Sequence, residues 1–419
     1  MKIKELDEKE YSKFVNKSGN SFMKSYIWGS VMKNKHFIPH YLGLVDDNNK
    51  VVASSMLLEK KLTKKYKFYY SPRGFTIDYN DFSLLKEFSL KLKEYMRINH
   101  GIFLKIDPDI KRYDLDNSGN ILSSETPLIK YLKELGYVHK GFNLDFSHEL
   151  PRFTFRLDID KKYEDIVASY HATTRKIYNK GNEYDLDIFI GDESNIDDFY
   201  QVMLETSKRE DFVCASYDYY KNFYQTLHKY GMTDLYVVKL DVLKLKEIYN
   251  SKINDLTEKI NVLKEKNNKK NDNKIKELTN ELNKVLKDLE YANSIKETNL
   301  VLSSIMTVKY MDTVWTLHGG NSSYFRHLNS NYLIYFNIIK DANLNGYKKI
   351  DFYGTSGHAN PDKSDPIYGI HNFKKRLGGE YMEFIGEFDL VSNKFLYFLF
   401  NMTVPLRRKI INKLLRRKR

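Results

Sequence analysis

Between residues 253 and 289 the apolar side chains keep a spacing that leaves few folds open. Ile253, Leu256, Ile260 and Leu263 fall at intervals of three and four, and Ile275, Leu278, Leu282, Val285 and Leu289 repeat the pattern. That spacing draws one narrow apolar seam along each of two helices. The stretch between them, "EKNNKKNDNK", holds no apolar residue, so the chain is expected to turn there. Two such seams joined by a polar turn predict an antiparallel coiled-coil hairpin over residues 241–298. Helices packed inside a domain carry broader apolar stripes.

On either side of this arm the chain alternates strands and helices. "HYLGLVDDNNKVVASSMLLEKKL" reads as two strands joined by a polar turn, and "KFYYSPRGFTIDY" as a strand running into a loop. "DFSLLKEFSLKLKEYMRINHG" reads as an amphipathic helix stopped at Gly101, and "IFLKIDPDI" as a buried strand broken at Pro108. The same kinds of unit recur after residue 165, in "SYHATTRKIYNKGNEYDLDIFIG", "IDDFYQVMLETSKREDF" and "DLYVVKL". Beyond the arm they resume with "LVLSSIMTVKYMDTVWTLHGG", "NYLIYFNIIKDANLNG" and "YKKIDFYG". In 419 residues this favours two similar α/β modules over one large sheet, because single cores stop growing near this size.

Several chemistries are excluded. A single cysteine, Cys214, leaves no intramolecular disulfide and no cysteine-based zinc site, which fits a reducing cytoplasm. No HExxH, GxGxxG or GxxxxGK[ST] pattern occurs, so neither a metal nor a cofactor is expected. "GTSGHAN" is not GxSxG, which argues against Ser356 as a nucleophile. The N-terminus has no apolar run of the kind a secretion signal needs, and the uncharged run 395–406 is too short to span a bilayer. The net charge of +13 owes eight of its cations to residues 405–419, a segment with no acid.

What remains is a set of cations: Lys33 after Trp28, Arg175, Lys176 and Lys180 in "TTRKIYNKG", Arg209 in "ETSKREDF", Arg326, and the row Lys374-Lys375-Arg376. Each alone reads as a solvated side chain. Together they suggest phosphate recognition without a phosphate loop. In "GIHNFKKRLGGEYMEFIGEFD" the cation row sits between Phe373 and Gly378-Gly379, ahead of a strand. Taken by itself the row reads as a solvated surface turn.

The ordered motifs "FMKSYIWGSVMK", "YYSPRGFTIDY", "FLKIDPDI", "TTRKIYNKG", "ETSKREDF", "LHGGNSSYFRHLNSNY" and "IDFYGTSG…YGIHNFKKRLGGEYMEFIGEFD" resemble those of the Fem family. The likeness runs from about residue 20 to 395 and includes the arm. These are aminoacyl-tRNA-dependent transferases that build the interpeptide bridges of peptidoglycan. The resemblance implies an α+β fold of twin GNAT-like acyltransferase domains with an inserted antiparallel coiled-coil arm. Domain 1 would span residues 1–150, domain 2 residues 151–240 and 299–394, and residues 395–419 would pack near domain 1.

The resemblance further implies transfer of an amino acid from tRNA to the side-chain amine of the stem-peptide lysine, on lipid II or a nucleotide-linked muropeptide. Lys33 and Arg209 then stand where the precursor's diphosphate is held, with Lys180 and Tyr332 as further precursor contacts. Phe373 and Lys374 match an aromatic–lysine pair at the aminoacyl-tRNA end, joined there by Lys375 and Arg376, and Asp107 matches an acid near the reacting amine. The chain departs from the family in reading Trp315-Thr316-Leu317-His318 where tyrosines are common. An activated aminoacyl ester needs no ATP site, which agrees with the missing phosphate loop. An acyl-CoA-dependent GNAT enzyme and a non-catalytic RNA-binding module are the alternatives. "GGNSSYFRHL" is a poor CoA-binding turn, and the arm is nearly charge-balanced. The expected location is the cytoplasm, peripherally at the inner membrane face, where the tail 405–419 contacts anionic lipid and sister transferases are possible partners.

Overall fold

The computed structural model describes residues 1–115, 121–144, 149–266 and 269–403. The basic tail therefore lies outside the described residues.

Strand β1 (Lys2–Glu5) leads into helices α1 (Glu8–Ser18) and α2 (Tyr26–Lys33), then into strands β2 (Ile38–Val45), β3 (Val51–Lys61) and β4 (Lys67–Ser71). Asp7 starts α1, its carboxylate accepting from the Glu10 amide while the Glu10 side chain accepts from the Asp7 amide. Helix α3 (Phe82–Ile98) carries the chain across to β5 (Gly101–Ile106), parallel to β4, as a crossover of this length must. A small ribbon of β6 (Tyr113–Leu115) and β7 (Ile121–Ser124), then α4 (Thr126–Glu134) and β8 (Tyr137–His139), follow.

The plan then repeats. Strand β9 (Phe153–Asp158) and helices α5 (Tyr163–Ser169) and α6 (Ala172–Lys180) precede β10 (Asp187–Gly191). Helices α7 (Ile196–Arg209) and α8 (Tyr217–His228) lead to β11 (Leu235–Asp241). Next come the long pair α9 (Val242–Glu265) and α10 (Asp272–Ser294), and strands β12 (Asn299–Tyr310) and β13 (Thr313–Asn321). Helix α11 (Ser330–Leu344), strand β14 (Lys349–Gly354), helix α12 (Tyr368–Arg376), and strands β15 (Glu380–Glu383) and β16 (Phe388–Val391) complete the order before a last helix at 394–403.

The strands form two seven-stranded sheets, β1-β2-β3-β4-β5-β16-β8 and β10-β11-β12-β13-β14-β9-β15. Both are antiparallel except at one place, the fourth and fifth strands: β4–β5 in one and β13–β14 in the other. Helices α3 and α11 are the two matching crossovers. The α9–α10 pair interrupts the second sheet between β11 and β12, and all nine seam residues belong to one apolar cluster continuous with that sheet's core.

One boundary differs from the expectation. Residues 388–391 were assigned to the second module, yet β16 inserts into the first sheet between β5 and β8. Phe388 and Leu390 are buried there with Leu104 and Ile106. Alternation reports that a strand has one buried face, and it carries no record of which sheet receives it.

A third cluster joins the two sheets. Phe22, just before α2, meets Trp28 of α2 and Trp315 of β13 with ring centroids 5.0 Å away in each case. Trp28 reaches on to Phe223 of α8, and all four rings are buried. Phe22→Ala is expected to cost about 3–5 kcal/mol, the usual range for emptying a buried aromatic site. Because the site lies between the sheets, the loss should also lower the cooperativity of denaturant unfolding, read as a smaller m-value. An unchanged midpoint and slope would show the sheets to be joined elsewhere.

Candidate active site

The two parallel strand pairs part at their C-terminal ends. Strand β13 pairs with β14 only from Thr313 to Trp315 and from Lys349 to Asp351, although both strands run on. The β4–β5 pairing stops at Ser71 and Ile106, just before Arg73 and Asp107. The carboxyl ends of parallel strands are where open α/β sheets hold ligands. Here the two sets of strand ends meet in one buried ionic network.

Asp351 of β14 is its hub in the second sheet. Its Oδ1 accepts from the Thr154 hydroxyl at 2.6 Å and the Tyr353 amide at 2.8 Å, and its Oδ2 accepts from Arg156 Nε at 2.7 Å. Arg156 also donates through Nη2 to both oxygens of Asp109, at 2.8 and 2.7 Å. Arg156 sits on β9 of the second sheet and Asp109 follows β5 of the first, so one guanidinium joins the two sheets. Burial pushes the Asp109 carboxyl up, but Arg156 and Arg73 outweigh it and hold it below the usual carboxylate range.

Asp107 stands on the first-sheet side, 5% exposed. Its oxygens accept from the Tyr70 hydroxyl at 2.8 Å and the Arg73 amide at 2.6 Å. Arg73 adopts φ +58°, which aims its amide at the carboxylate. Burial pushes the Asp107 carboxyl up to about 7 against the opposing pull of Arg73. Lys24, also buried, donates to Asn20 Oδ1 and to the Phe75 carbonyl, and desolvation brings its ammonium down to about 8.

Lys374 departs from the expectation of a surface turn. The cation row lies on helix α12, and His371, Lys374 and Leu377 share its inward face at intervals of three. Lys374 is 8% exposed and donates to the carbonyls of Tyr353 and Gly354, at 3.0 and 2.5 Å, where β14 ends with Tyr353 at φ +59°. Burial lowers its ammonium to about 7, with Asp351 opposing. It is thus an internal amine and not a solvated surface cation. Phe373 packs on Tyr332 and Tyr335, centroids 4.9 and 5.0 Å away, so its ring is held by the core of the second sheet.

Lys375 and Arg376 are exposed, and Lys375 donates to Asn360 Oδ1 at 2.8 Å. Asn360 belongs to a cavity of about 440 Å³ also lined by Ser356, His358, Asp362, Asp365 and Ile367. Ser356 donates to Asp365 there. Arg209, at the end of α7, donates to the Asn321 carbonyl where β13 ends. Lys33 closes α2; two residues on, Lys35 lies over the Tyr219 ring, which meets His318 of β13. Of the two diphosphate candidates, Arg209 borders the far end of β13, and Lys33 is exposed at the end of α2. Lys180 is exposed at the end of α6, 3.8 Å from Glu183. Sequence reasoning missed Arg156, Asp109, Asp351 and Lys24. The second acid of "DPD" and an arginine inside the strand "FTFRLD" were the available signals.

The buried amine makes a test of stability against pH. An unfolded lysine takes up its proton near 10.5, whereas folded Lys374 does so near 7. Its cost to folding is absent above the unfolded value, grows as pH falls from 10.5 towards 7, and is constant below. Lys374→Met should therefore gain stability relative to the parent as pH falls across that window, by a few kcal/mol in all. Losing two donors adds only a pH-independent offset. Denaturant midpoints of both proteins across the window check the slope, and a flat difference would mean that Lys374 stays charged.

Comparisons with known proteins agree with this architecture. The FemAB family model matches residues 6–404. A lipid II:glycine glycyltransferase of Staphylococcus aureus (strain bovine RF122 / ET3-1) is 28% identical over 413 residues, covering 96% of this chain and 95% of that protein. One from Staphylococcus epidermidis (strain ATCC 12228 / FDA PCI 1200) is 29% identical over 381 residues, with 86% of each chain covered. The crystal structure of FemX superposes with a TM-score of 0.73 at 27% identity, covering 95% of this chain and 99% of that one. With a match along nearly its whole length, the chain belongs to the FemAB family and is a transferase.

Proposed function

We propose that this protein transfers an amino acid from aminoacyl-tRNA to the side-chain amine of the stem-peptide lysine in a peptidoglycan precursor, building the interpeptide bridge. The acceptor is lipid II, the substrate named for the staphylococcal relatives, or its nucleotide-linked counterpart. On this reading the two sheets of one strand order are twin GNAT-like domains, and α9–α10 is their coiled-coil arm.

The observation that carries the reading is a pair of groups poised near neutrality on opposite sides of one ionic bridge: Asp107, pushed up to about 7, and Lys374, brought down to about 7. Aminoacyl transfer needs both kinds of group. The acceptor amine attacks the ester carbonyl, an N–C bond forms, the bond to the ribose 3′-oxygen breaks, and the amine loses a proton. A carboxylate with so raised a pKa is a competent acceptor for that proton near pH 7. A lysine at the strand end supplies a donor for the oxyanion or for the departing ribose oxygen. Lys33 and Arg209 hold the diphosphate, with Lys180 and Tyr332 further along the precursor. Phe373, Lys375 and Arg376 form the rim that meets the tRNA end. A lipid-linked acceptor brings the enzyme to the inner membrane face, alongside sister transferases.

Incubation with lipid II or nucleotide-linked muropeptide and a pool of charged tRNAs should give a product heavier by one or more aminoacyl residues. No product with any charged tRNA, together with acyl transfer from acyl-CoA, would overturn the assignment. Lys33→Ala and Arg209→Ala should each weaken precursor binding by roughly 1.5–3 kcal/mol, as loss of a charge-assisted contact does. The loss should appear in KM more than in kcat. Normal precursor affinity in both variants would remove the diphosphate role.

A further inference from the structure

The last helix, residues 394–403, carries large apolar or aromatic side chains on both its inward and its outward face. Tyr397, Phe400 and Asn401 turn inward. The Tyr397 hydroxyl donates to Asp389 Oδ2 at 2.7 Å, and the Phe400 ring lies tilted 5.0 Å from Phe103 and 5.8 Å from Phe68. The opposite face carries Phe395, Phe398, Leu399 and Met402 at i, i+3, i+4 and i+7, which are 69%, 59%, 41% and 58% exposed. Four large apolar side chains in a row on one open helix face call for a partner.

Cations cluster at the end of the first sheet where this helix starts. Lys67 of β4 pairs with Gly101 of β5, and Ser392, just before the helix, donates to the carbonyls of Gly101 and Ile102. The β3–β4 turn, the end of α3 and the start of the last helix therefore share one end of the first sheet, where β4 and β5 begin. Lys61, Lys64 and Lys65 of that turn are exposed, and among the described residues no carboxylate forms an ion pair with them. Ile98 at the end of α3 lies among them and is 71% exposed. Lys93, Arg97 and Lys394 are close enough that the last two, after burial, push the Lys93 ammonium down. The sequence continues from this helix into 405–419, with eight further cations and no acid.

We propose that the outer face of helix 394–403, together with Lys61, Lys64, Lys65, Lys93, Arg97 and Lys394, docks on an anionic lipid bilayer. Apolar side chains enter the headgroup boundary and the cations meet lipid phosphates, the combination that holds interfacial helices. A second copy of this chain, meeting the same surface across a two-fold axis, would bring two basic clusters together, which charge repulsion opposes. Nucleic acid would use the cations but leave the four apolar side chains in water. The placement also suits a lipid-linked acceptor, and to that extent rests on the proposed function. Asp107 stands at the other end of β5, roughly 20 Å from the docking end at about 3.3 Å per residue. An acceptor amine set off from its lipid by a diphosphate, a sugar and a peptide bridges a gap of that kind.

The test uses the full chain and vesicles of phosphatidylglycerol with phosphatidylcholine, against vesicles of phosphatidylcholine alone. The parent protein should bind the anionic vesicles in a salt-sensitive way. Joint substitution of Phe395→Ser, Phe398→Ser, Leu399→Ser and Met402→Ser should weaken that binding by about tenfold or more, as loss of the interfacial anchor predicts. Lys61→Glu, Lys64→Glu and Lys65→Glu together should lower both the affinity and its salt dependence. Both variants should keep the parent's circular dichroism, tRNA affinity and transfer to a nucleotide-linked acceptor. Binding within twofold of the parent in both variants would overturn the proposal. So would dissociation of a dimer, or loss of tRNA affinity, while vesicle binding is intact. Vesicle binding by a protein that transfers no amino acid from charged tRNA would leave this surface standing and sink the proposed aminoacyl transfer alone.

Discussion

The junction of the two sheets depends on one guanidinium. Arg156 reaches from the second sheet to Asp109 of the first while holding Asp351 of its own sheet. The carboxylates of Asp109 and Asp351 are buried and are tolerated only while a cation matches them, so removing Arg156 strands both at a cost of about 3–5 kcal/mol. The consequences spread outward from Asp351. Its carboxylate orients the Tyr353 amide, Tyr353 turns into the left-handed region, and the carbonyls of Tyr353 and Gly354 then take up Lys374. The bridge that joins the sheets therefore also presents the amine.

The strand plan shared by the two sheets explains why such a site arises between them. Each has a single parallel pair, made by one helical crossover, and each parallel pair ends in a residue with positive φ nearby, Arg73 in one and Tyr353 in the other. Those ends are the natural openings of the two sheets, and the shared core around Phe22, Trp28 and Trp315 brings the sheets together. Strand β16 strengthens the union, because the chain returns from β15 in the second sheet to a place between β5 and β8 of the first. Glu383 at the end of β15 receives Arg112 and Arg152 on the way.

The chemistry follows from burial acting on two groups of opposite kind. Desolvation disfavours whichever form is charged, so it raises an acid and lowers an amine until both approach neutrality. Asp107 and Lys374 converge on about 7 from opposite directions for that one reason. The partners decide how far each moves. Asp109, equally buried, moves the other way because Arg156 and Arg73 face it. Two aspartates separated by one proline thus differ in charge state through their neighbours alone.

Much of this was legible in the residues. The seam from Ile253 to Leu289 specified the helical pair, because a 3-4 spacing is a statement about one helix face and needs no outside information. The strand and helix order was legible for the same local reason, and the ordered motifs named the family. Lys374 was found as a candidate yet misread as a surface cation. Its inward direction depends on α12 being helical and packed against the end of β14, and a row of three cations looks alike whichever one is buried. Arg156, Asp109 and Asp351 escaped notice because they lie far apart in the chain and act only where two sheets meet. The strand alternation of β16 was plain, but its sheet was not, since pairing partners are chosen by the whole packing. Local periodicity and composition determined the elements and their order. Tertiary structure alone decided which charges are buried, because burial is a property of what packs on a residue and not of the residue itself.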